Sequence, residues 1–423
     1  MNLLLKSAKI LDVGNDKLHG KKRDILIKDG KIHKIAAKID SASDVEVVSL
    51  KNLHVSKGWF DSSVSFGEPG YEERETIANG LAVAAQSGFS DIVLNPNTRP
   101  VPDTSSDIVF LKNAAAGSAT GLHPLGTLTL GALGEDLAEL YDMKNAGAVG
   151  FYDFKHPLQN ANLFKIALQY AAGFEGLVHS FPMDAHIAGK GNVNESVATV
   201  RLGLKGIPAL AEELNLARDL FVLEYTGGKL HIPTLSSGGS VRLLADAKKK
   251  GLDVTCSVAI HHLLYTDEAL HEFDSAFKVM PPLRDETNRQ QLVKGVKDGT
   301  IDFVTSDHTP MNIEEKKVEF ENAAYGTLGL ESAFGCLNHL LGPEKTIEIL
   351  TKGRARYGLT EPRIAEGELA CLSLFDPESE KVFDEADILS TSKNSLFLGR
   401  EIKGKVYGSI NNNQYVKAEN GHG

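Results

Sequence analysis

Residues 229–259 read KLHIPTLSSGGSVRLLADAKKKGLDVTCSVA, and the change of period inside this stretch decides the fold. Lys229 to Leu235 is a short apolar run and Asp253 to Ala259 is another. Between them, Val241, Leu244 and Ala245 of Ser240 to Lys250 share one helical face, Lys248 to Lys250 meet the negative end of the helix dipole, and Gly251 stops the helix. Strand, helix and strand in this order form the parallel β-α-β unit.

Working outward, the same alternation gives eight strand-like runs: Gly58 to Phe66, Asp91 to Asn97, His123 to Leu130, Ala148 to Asp153, Gly176 to Phe181, Lys229 to Leu235, Asp253 to Ala259 and Ile301 to His308. A further helix begins at Pro343 and stops near Gly353. Eight strands with helical crossovers predict a closed (β/α)8 TIM barrel within an α/β fold, with its site at the carboxyl ends of the strands. The ends of the chain read differently. Asp24 to Ile27 and Lys31 to Ala36 flank the turn Lys28-Asp29-Gly30, and Ala370 to Phe375 and Gly404 to Ser409 run between Pro, Gly and Asn clusters. The expected division is therefore a barrel over 58–359 and one small β-rich domain built from 1–57 plus 360–423, with Asn411 to Gly423 as a turn and a frayed end.

Composition narrows the function. A net charge of -11 leaves no basic footprint for nucleic acid or an anionic membrane, and no apolar run approaches the roughly 20 residues of a membrane span. A cytoplasmic protein with small-molecule or protein partners is expected. Cys256, Cys336 and Cys371 are odd in number and form no C-x-x-C, which argues against a disulfide framework and a cysteine metal site.

At the strand ends stand Ser63 and Ser65, Asn97, Asp153, His179, Thr234, and Asp307 with His308. Asp153, His179 and Asp307 on three strand ends are types that suit zinc, and equally they suit satisfied polar groups at strand termini. His261-His262 reads as a structural or loop pair. Ser236-Ser237-Gly238-Gly239 lacks a P-loop lysine and reads as a plain turn, Lys248 to Lys250 as a solvated helix end, and Ser63 and Ser65 as serines without a positioned base.

The stretch from Gly58 to Glu72, GWFDSSVSFGEPGYE, resembles the dihydroorotase signature G-F-I-D-M-H-V-H-L-R-E-P-G-Y-E. In the same order, Asn95-Pro96-Asn97-Thr98 resembles M-P-N-T, Gly150-Phe151-Tyr152-Asp153 resembles G-F-S-D, Pro281-Pro282-Leu283-Arg284 resembles N-P-P-L-R without its Asn, Thr305 to Pro310 resembles A-T-D-H-A-P, and Tyr325 to Glu331 is similar to F-G-x-x-G-L-E. The resemblance covers nearly the whole chain. It implies a metal-dependent hydrolase barrel with a composite β-sandwich domain, and one or two zinc ions on an H-x-H pair, an Asp or carboxylated Lys, two further His and an Asp.

That frame is kept while the chemistry it implies is not. The H-x-H positions are Ser63 and Ser65, and the sixth-strand His falls on Thr234; Asp153, His179 and Asp307 match. On the substrate side, the Arg that grips the ring carboxylate falls on Gly67, the Asn before P-P-L-R on Met280 and the second His of D-H-A-P-H on Met311, while Asn97 is retained. A bound metal lowers the pKa of water from about 15.7 to about 7, on the order of eight decades more hydroxide at neutral pH, which the general acid-base role of Asp307 cannot replace.

The expectation is a non-catalytic dihydroorotase homologue with no metal, Asp307 being a vestige of the catalytic position. It would act as a structural or regulatory partner in pyrimidine synthesis, with aspartate transcarbamoylase or another pathway protein as the partner and a homodimer as the commonest assembly. The alternatives are an active cyclic amidohydrolase with a zinc site rebuilt on Asp153, His179 and Asp307, assisted by His308 or His231, and a sensor that keeps the pocket without the reaction.

Overall fold

The computed structural model describes residues 1–40 and 45–418. Seven of the eight runs form parallel ladders: Trp59–Val64, Phe89–Leu94 and Gly121–Pro124 in one sheet, and Leu177–His179, Lys229–Ile232, Val254–Ala259 and Phe303–Thr305 in a second. The eighth run, Ala148 to Asp153, is not a ladder strand. Single parallel bridges from Phe151 to Gly126 and to Val178 place it between the two sheets, and a bridge from Val64 to His308 closes the other side. The result is a closed ring. Gly150 makes the narrow seam possible, because a Cβ there would stand 2.8 Å from the His179 ring and 3.0 Å from the backbone oxygen of Leu177.

Several ladders are shorter than their apolar runs, for local reasons. Lys229–Ile232 ends before Pro233, which has no N–H to give, and Thr234 turns to φ 48°. Phe303–Thr305 ends before Asp307 at φ 50°. These left-handed residues turn the chain at the mouth, where the site lies. The helix after Thr234 runs Gly238–Lys249, capped by the Ser237 side chain on the N–H of Gly239 and buried through Val241, Leu244 and Ala247. Its last turn is not merely solvated. Lys248 pairs with Asp302 at 2.6 Å and donates to the carbonyl of Thr300, and Lys250 pairs with Glu224 at 2.9 Å.

Both ends of the chain enter one eight-stranded sheet, in which His54–Lys57 lies between Leu3–Ile10 and Leu372–Val382. The turn at Asp29-Gly30 has φ of 49° and 73°, the two positive values of a type I′ hairpin. The tail differs from expectation. Asn412 and Asn413, at φ 47° and 57°, make a second such turn, because asparagine tolerates the left-handed region, and Gln414–Lys417 returns as a paired strand. The remaining frayed-end expectation, 419–423, lies outside the described residues. Among the described residues, no helix is long and apolar enough to cross a membrane.

Candidate functional site

The first strand carries its serines to the mouth over a buried carboxylate. Asp61 accepts the N–H groups of Ser63 at 3.0 Å and Ser306 at 2.9 Å, together with the Thr305 hydroxyl, and so ties the first strand to the eighth. Above it, the Asn95 amide donates to the hydroxyl oxygens of both Ser63 and Ser65 at 3.0 Å, and the Ser63 hydroxyl donates to Asp307 Oδ1 at 3.2 Å. The two serines have become partners of an asparagine.

Asp307 has a second partner, which the sequence reading did not single out. The ammonium of Lys155 lies 2.9 Å from Asp307 Oδ2, with the lysine side chain 12% exposed and the carboxylate 2%. Burial pushes the Asp307 carboxyl above the usual range, and Lys155, followed by the Ser63 hydroxyl, pulls it back. Lys155 lies two residues past Asp153 in a turn, at φ 55°, so no strand alternation in the sequence directs it to the mouth.

Asp153 is satisfied differently. It accepts the N–H groups of Leu128 at 2.9 Å and Thr129 at 3.0 Å, and the Thr129 hydroxyl at 2.5 Å. Burial again raises its pKa. His179 is buried among rings, with Nε2 3.2 Å from the Tyr357 hydroxyl and ring centroids 5.6 Å from Tyr152 and 5.0 Å from His231. Burial holds it neutral, with its pKa pushed down to about 3. Tyr152 stands where the G-F-S-D stretch has its serine, and its buried phenol oxygen accepts the N–H of Lys155 at 3.3 Å. The cavity lined by Asp153 and His179 measures about 10 Å³, at the lower limit for one water.

The residues compared with substrate contacts are also altered in shape. Gly67 donates to the carbonyl of Glu75 at 2.8 Å and accepts from the N–H of Tyr71 at 2.9 Å, and a Cβ at this position would lie 1.7 Å from the Tyr71 carbonyl oxygen. No side chain fits on this backbone, an arginine least of all. Met280 is half-buried against the cluster of Phe181, Met183 and Tyr152, joined by Phe154. Met311 donates its N–H to Asn394 and lines a separate 520 Å³ surface cavity with Phe277, Lys316 and Leu396. Asn97 remains at the mouth, its side-chain oxygen buried without a partner, and so does the hydroxyl of Thr234.

These residues do not fit the zinc centre that the resemblance implies. Ser63, Ser65 and Thr234 are neutral hydroxyls, the Asp153 lone pairs are directed to two amides and a hydroxyl, and Asp307 is engaged by a cation. Of the proposed helpers, His231 is engaged on both ring nitrogens and His308 on one, its Nε2 being buried without a partner. His308 Nδ1 accepts the N–H groups of Gly329 and Leu330, while the His231 ring sits between the hydroxyls of Thr255 and Ser257. Among the described residues, no three His, Cys, Asp or Glu side chains are grouped to hold a metal. His262 Nε2 contacts the Pro281 carbonyl at 3.0 Å. The Ser236–Gly239 loop is more than a plain turn, because the N–H groups of Ser236 and Ser237, at 3.1 and 3.0 Å, hold the buried carboxylate of Glu212.

Comparison with known proteins agrees with this frame. A family model described as Dihydro-orotase-like matches residues 53–240. A dihydroorotase of Pelotomaculum thermopropionicum is 39% identical over 417 residues, covering 97% of each chain, and one of Anaeromyxobacter dehalogenans is 37% identical over 94% of each. Among solved structures, the L-hydantoinase (dihydropyrimidinase) from Arthrobacter aurescens superposes with a TM-score of 0.84 at 21% identity, covering 98% of this chain and 96% of that one. The D-hydantoinase (dihydropyrimidinase) from Thermus sp. gives 0.81 at 19%, covering 99% and 97%. The last two matches concern the fold alone; with the sequence relatives beside them, the chain belongs to the dihydroorotase family of the amidohydrolase superfamily.

Proposed function

We propose that this chain is a dihydroorotase-family protein of pyrimidine biosynthesis that does not hydrolyse the ring through a metal centre and serves instead as a structural or regulatory partner. The observation that carries the proposal is the Lys155 ammonium 2.9 Å from Asp307, which brings a positive charge to the carboxylate that would otherwise face a metal. The closure of the Tyr71 carbonyl over Gly67 supports it from the substrate side. Aspartate transcarbamoylase is the partner this reading puts first.

A second reading, an active dihydroorotase or related cyclic amidohydrolase with a rebuilt site, has a different support. The relative at 39% identity over 97% of its length is named a dihydroorotase, and that name speaks for turnover. In this reading Asp307 moves the proton, Asn97 contacts the ring, and Lys155 rather than zinc faces the developing charge.

Both readings are tested by following the interconversion of dihydroorotate and carbamoyl aspartate with the purified protein, with and without zinc, beside Asp307→Ala carried through the same purification. Rates indistinguishable from the control, with zinc well below one per chain, are the expected outcome. Turnover lost in the control overturns the proposal in favour of the second reading. Co-sedimentation with aspartate transcarbamoylase then tests the partner.

A further inference from the structure

The barrel opens at its other end as well. Thr255 and Phe303 stand at the amino ends of their strands, opposite the mouth, and there a cleft of about 620 Å³ runs between the barrel and the small domain. Small-molecule sites have volumes of this order. Leu11, Val13, Val296 and Ile347 form its apolar wall, and Val13 is 47% exposed. Most charges in the lining are answered one for one: Lys57 faces Asp12 at 3.6 Å, Arg356 is paired with Asp253, and Asp302 is held by Lys248. The pairing leaves one charge of each sign over. Lys345 and Lys352 share the single carboxylate of Glu348, and Glu361, among the described residues, accepts only the N–H of Ala355 at 3.3 Å.

A hydrogen-bonded chain leads from this cleft through the barrel core. The half-buried Thr255 hydroxyl lines the cleft and lies 2.9 Å from His231 Nδ1, His231 Nε2 lies 3.2 Å from the Ser257 hydroxyl, and Ser257 Oγ accepts the N–H of Thr234 at 3.4 Å. Thr234 belongs to the mouth. The buried imidazole therefore bridges the two ends of the barrel, and as a neutral ring it has two tautomers that set the direction of the whole chain.

We infer that the cleft is an effector site for a small zwitterion, an amino acid with an apolar side chain, and that the chain through His231 reports its occupancy to the mouth. The carboxylate lies against the Lys345–Lys352 couple and the Thr255 hydroxyl, the ammonium against Glu361, and the side chain against the apolar wall. A ligand oxygen that accepts the Thr255 proton leaves the Thr255 oxygen to accept from Nδ1–H, so that Nε2 takes the Ser257 proton and the Ser257 oxygen is kept for the N–H of Thr234. In the opposite tautomer Ser257 must accept from Nε2 as well, and its hold on Thr234 is shared. The tautomer is thus the two-state element that both ends bias. The inference does not depend on whether the mouth turns over a substrate.

The test is calorimetric titration of the full chain with L-leucine, beside 4-methylpentanoate and 3-methylbutylamine, each of which keeps the apolar body and one of the two charges. One leucine per chain is expected, with each analogue weaker by about tenfold or more. K345M/K352M and Glu361→Gln should weaken leucine by about the same factor with an unchanged circular dichroism spectrum. In nitrogen spectra of histidine-labelled protein, the ring signal displaced by both Thr255→Val and Ser257→Ala identifies His231. Saturating leucine should move that signal toward the Nδ1–H form in wild type and leave it in place in Thr255→Val. Absence of leucine binding, binding that survives both charge variants, or an analogue that binds as tightly as leucine overturns the site; a His231 signal that bound leucine does not move overturns the link to the mouth.

Discussion

Asp153 and Asp307 face one barrel mouth from the fourth and eighth strand positions, and the molecule stabilises them by different means. Around Asp153 the donors are two backbone amides and the Thr129 hydroxyl, all fixed by the course of the Leu128-Thr129 loop. Around Asp307 the strongest partner is a lysine ammonium 152 residues away in sequence, with one serine hydroxyl beside it. The first carboxylate needs no cation and the second has its own. The split shows two separate solutions to burying charge at one mouth.

The comparison predicts unequal losses. Lys155→Met should cost the most, about 3–5 kcal/mol in urea unfolding, because it leaves a buried carboxylate without its counter-charge. K155M/D307N should recover most of that loss, since the charge to be compensated is gone. The pH dependence follows with a definite sign. Burial raises the Asp307 carboxyl above its unfolded value, so its native state holds the proton more tightly, and stability is lost as pH rises through that raised value. Lys155 opposes this rise. Without it the loss should be small at acid pH, where Asp307 is protonated, and should grow toward neutral pH. His179, held neutral with its pKa near 3, drives the opposite trend in both proteins, losing stability as pH falls below about 6.5, and cancels in the difference. A gap between the two proteins that does not change with pH would remove the pair from this role.

On the other side, Thr129→Val keeps the volume and removes the hydroxyl that lies 2.5 Å from Asp153. The expected cost is smaller, about 1–3 kcal/mol, because both amides remain and only one donor to a buried charge is lost. The same hydroxyl oxygen accepts the N–H of Gly134 at 2.9 Å, which keeps the estimate from falling lower. A loss from Thr129→Val as large as that from Lys155→Met would mean that the two carboxylates are not held in different ways.

Much of this architecture is legible before any coordinates. The alternation of apolar runs with helical period marks the ring, and the strand ends name Ser63, Ser65, Asp153, His179, Thr234 and Asp307 because side-chain period and barrel geometry force them to the mouth. The rest depends on contacts between distant segments. Nothing local announces that Lys155 reaches Asp307 across the barrel, or that the Tyr71 carbonyl closes over Gly67. The Ala148 to Asp153 run has the right composition for a ladder strand, but its backbone bonds to Pro124, Gly126, Leu177 and His179 complete only single bridges, at Phe151, and ladder registry is a property of three segments rather than one. At the tail, Asn412-Asn413 was readable as a turn; the pairing of Gln414–Lys417 depended on an edge supplied by Glu401–Asn411.

The finest contrast separates the two serines at the end of the first strand, of which Ser65 should show the smallest effect. Both accept from Asn95, but only Ser63 also donates to Asp307. Ser63→Ala therefore removes a hydrogen bond to a buried charge, expected to cost roughly 1.5–3 kcal/mol, whereas Ser65→Ala removes an acceptor from an amide that keeps its bond to Ser63, roughly 0.5–1 kcal/mol. Equilibrium unfolding of the two variants side by side is the measurement. Equal costs would show that Ser63 gains nothing from Asp307 and that Lys155 alone answers that charge; a larger cost at Ser65 would mean that Asn95, not Asp307, organises the first strand at the mouth.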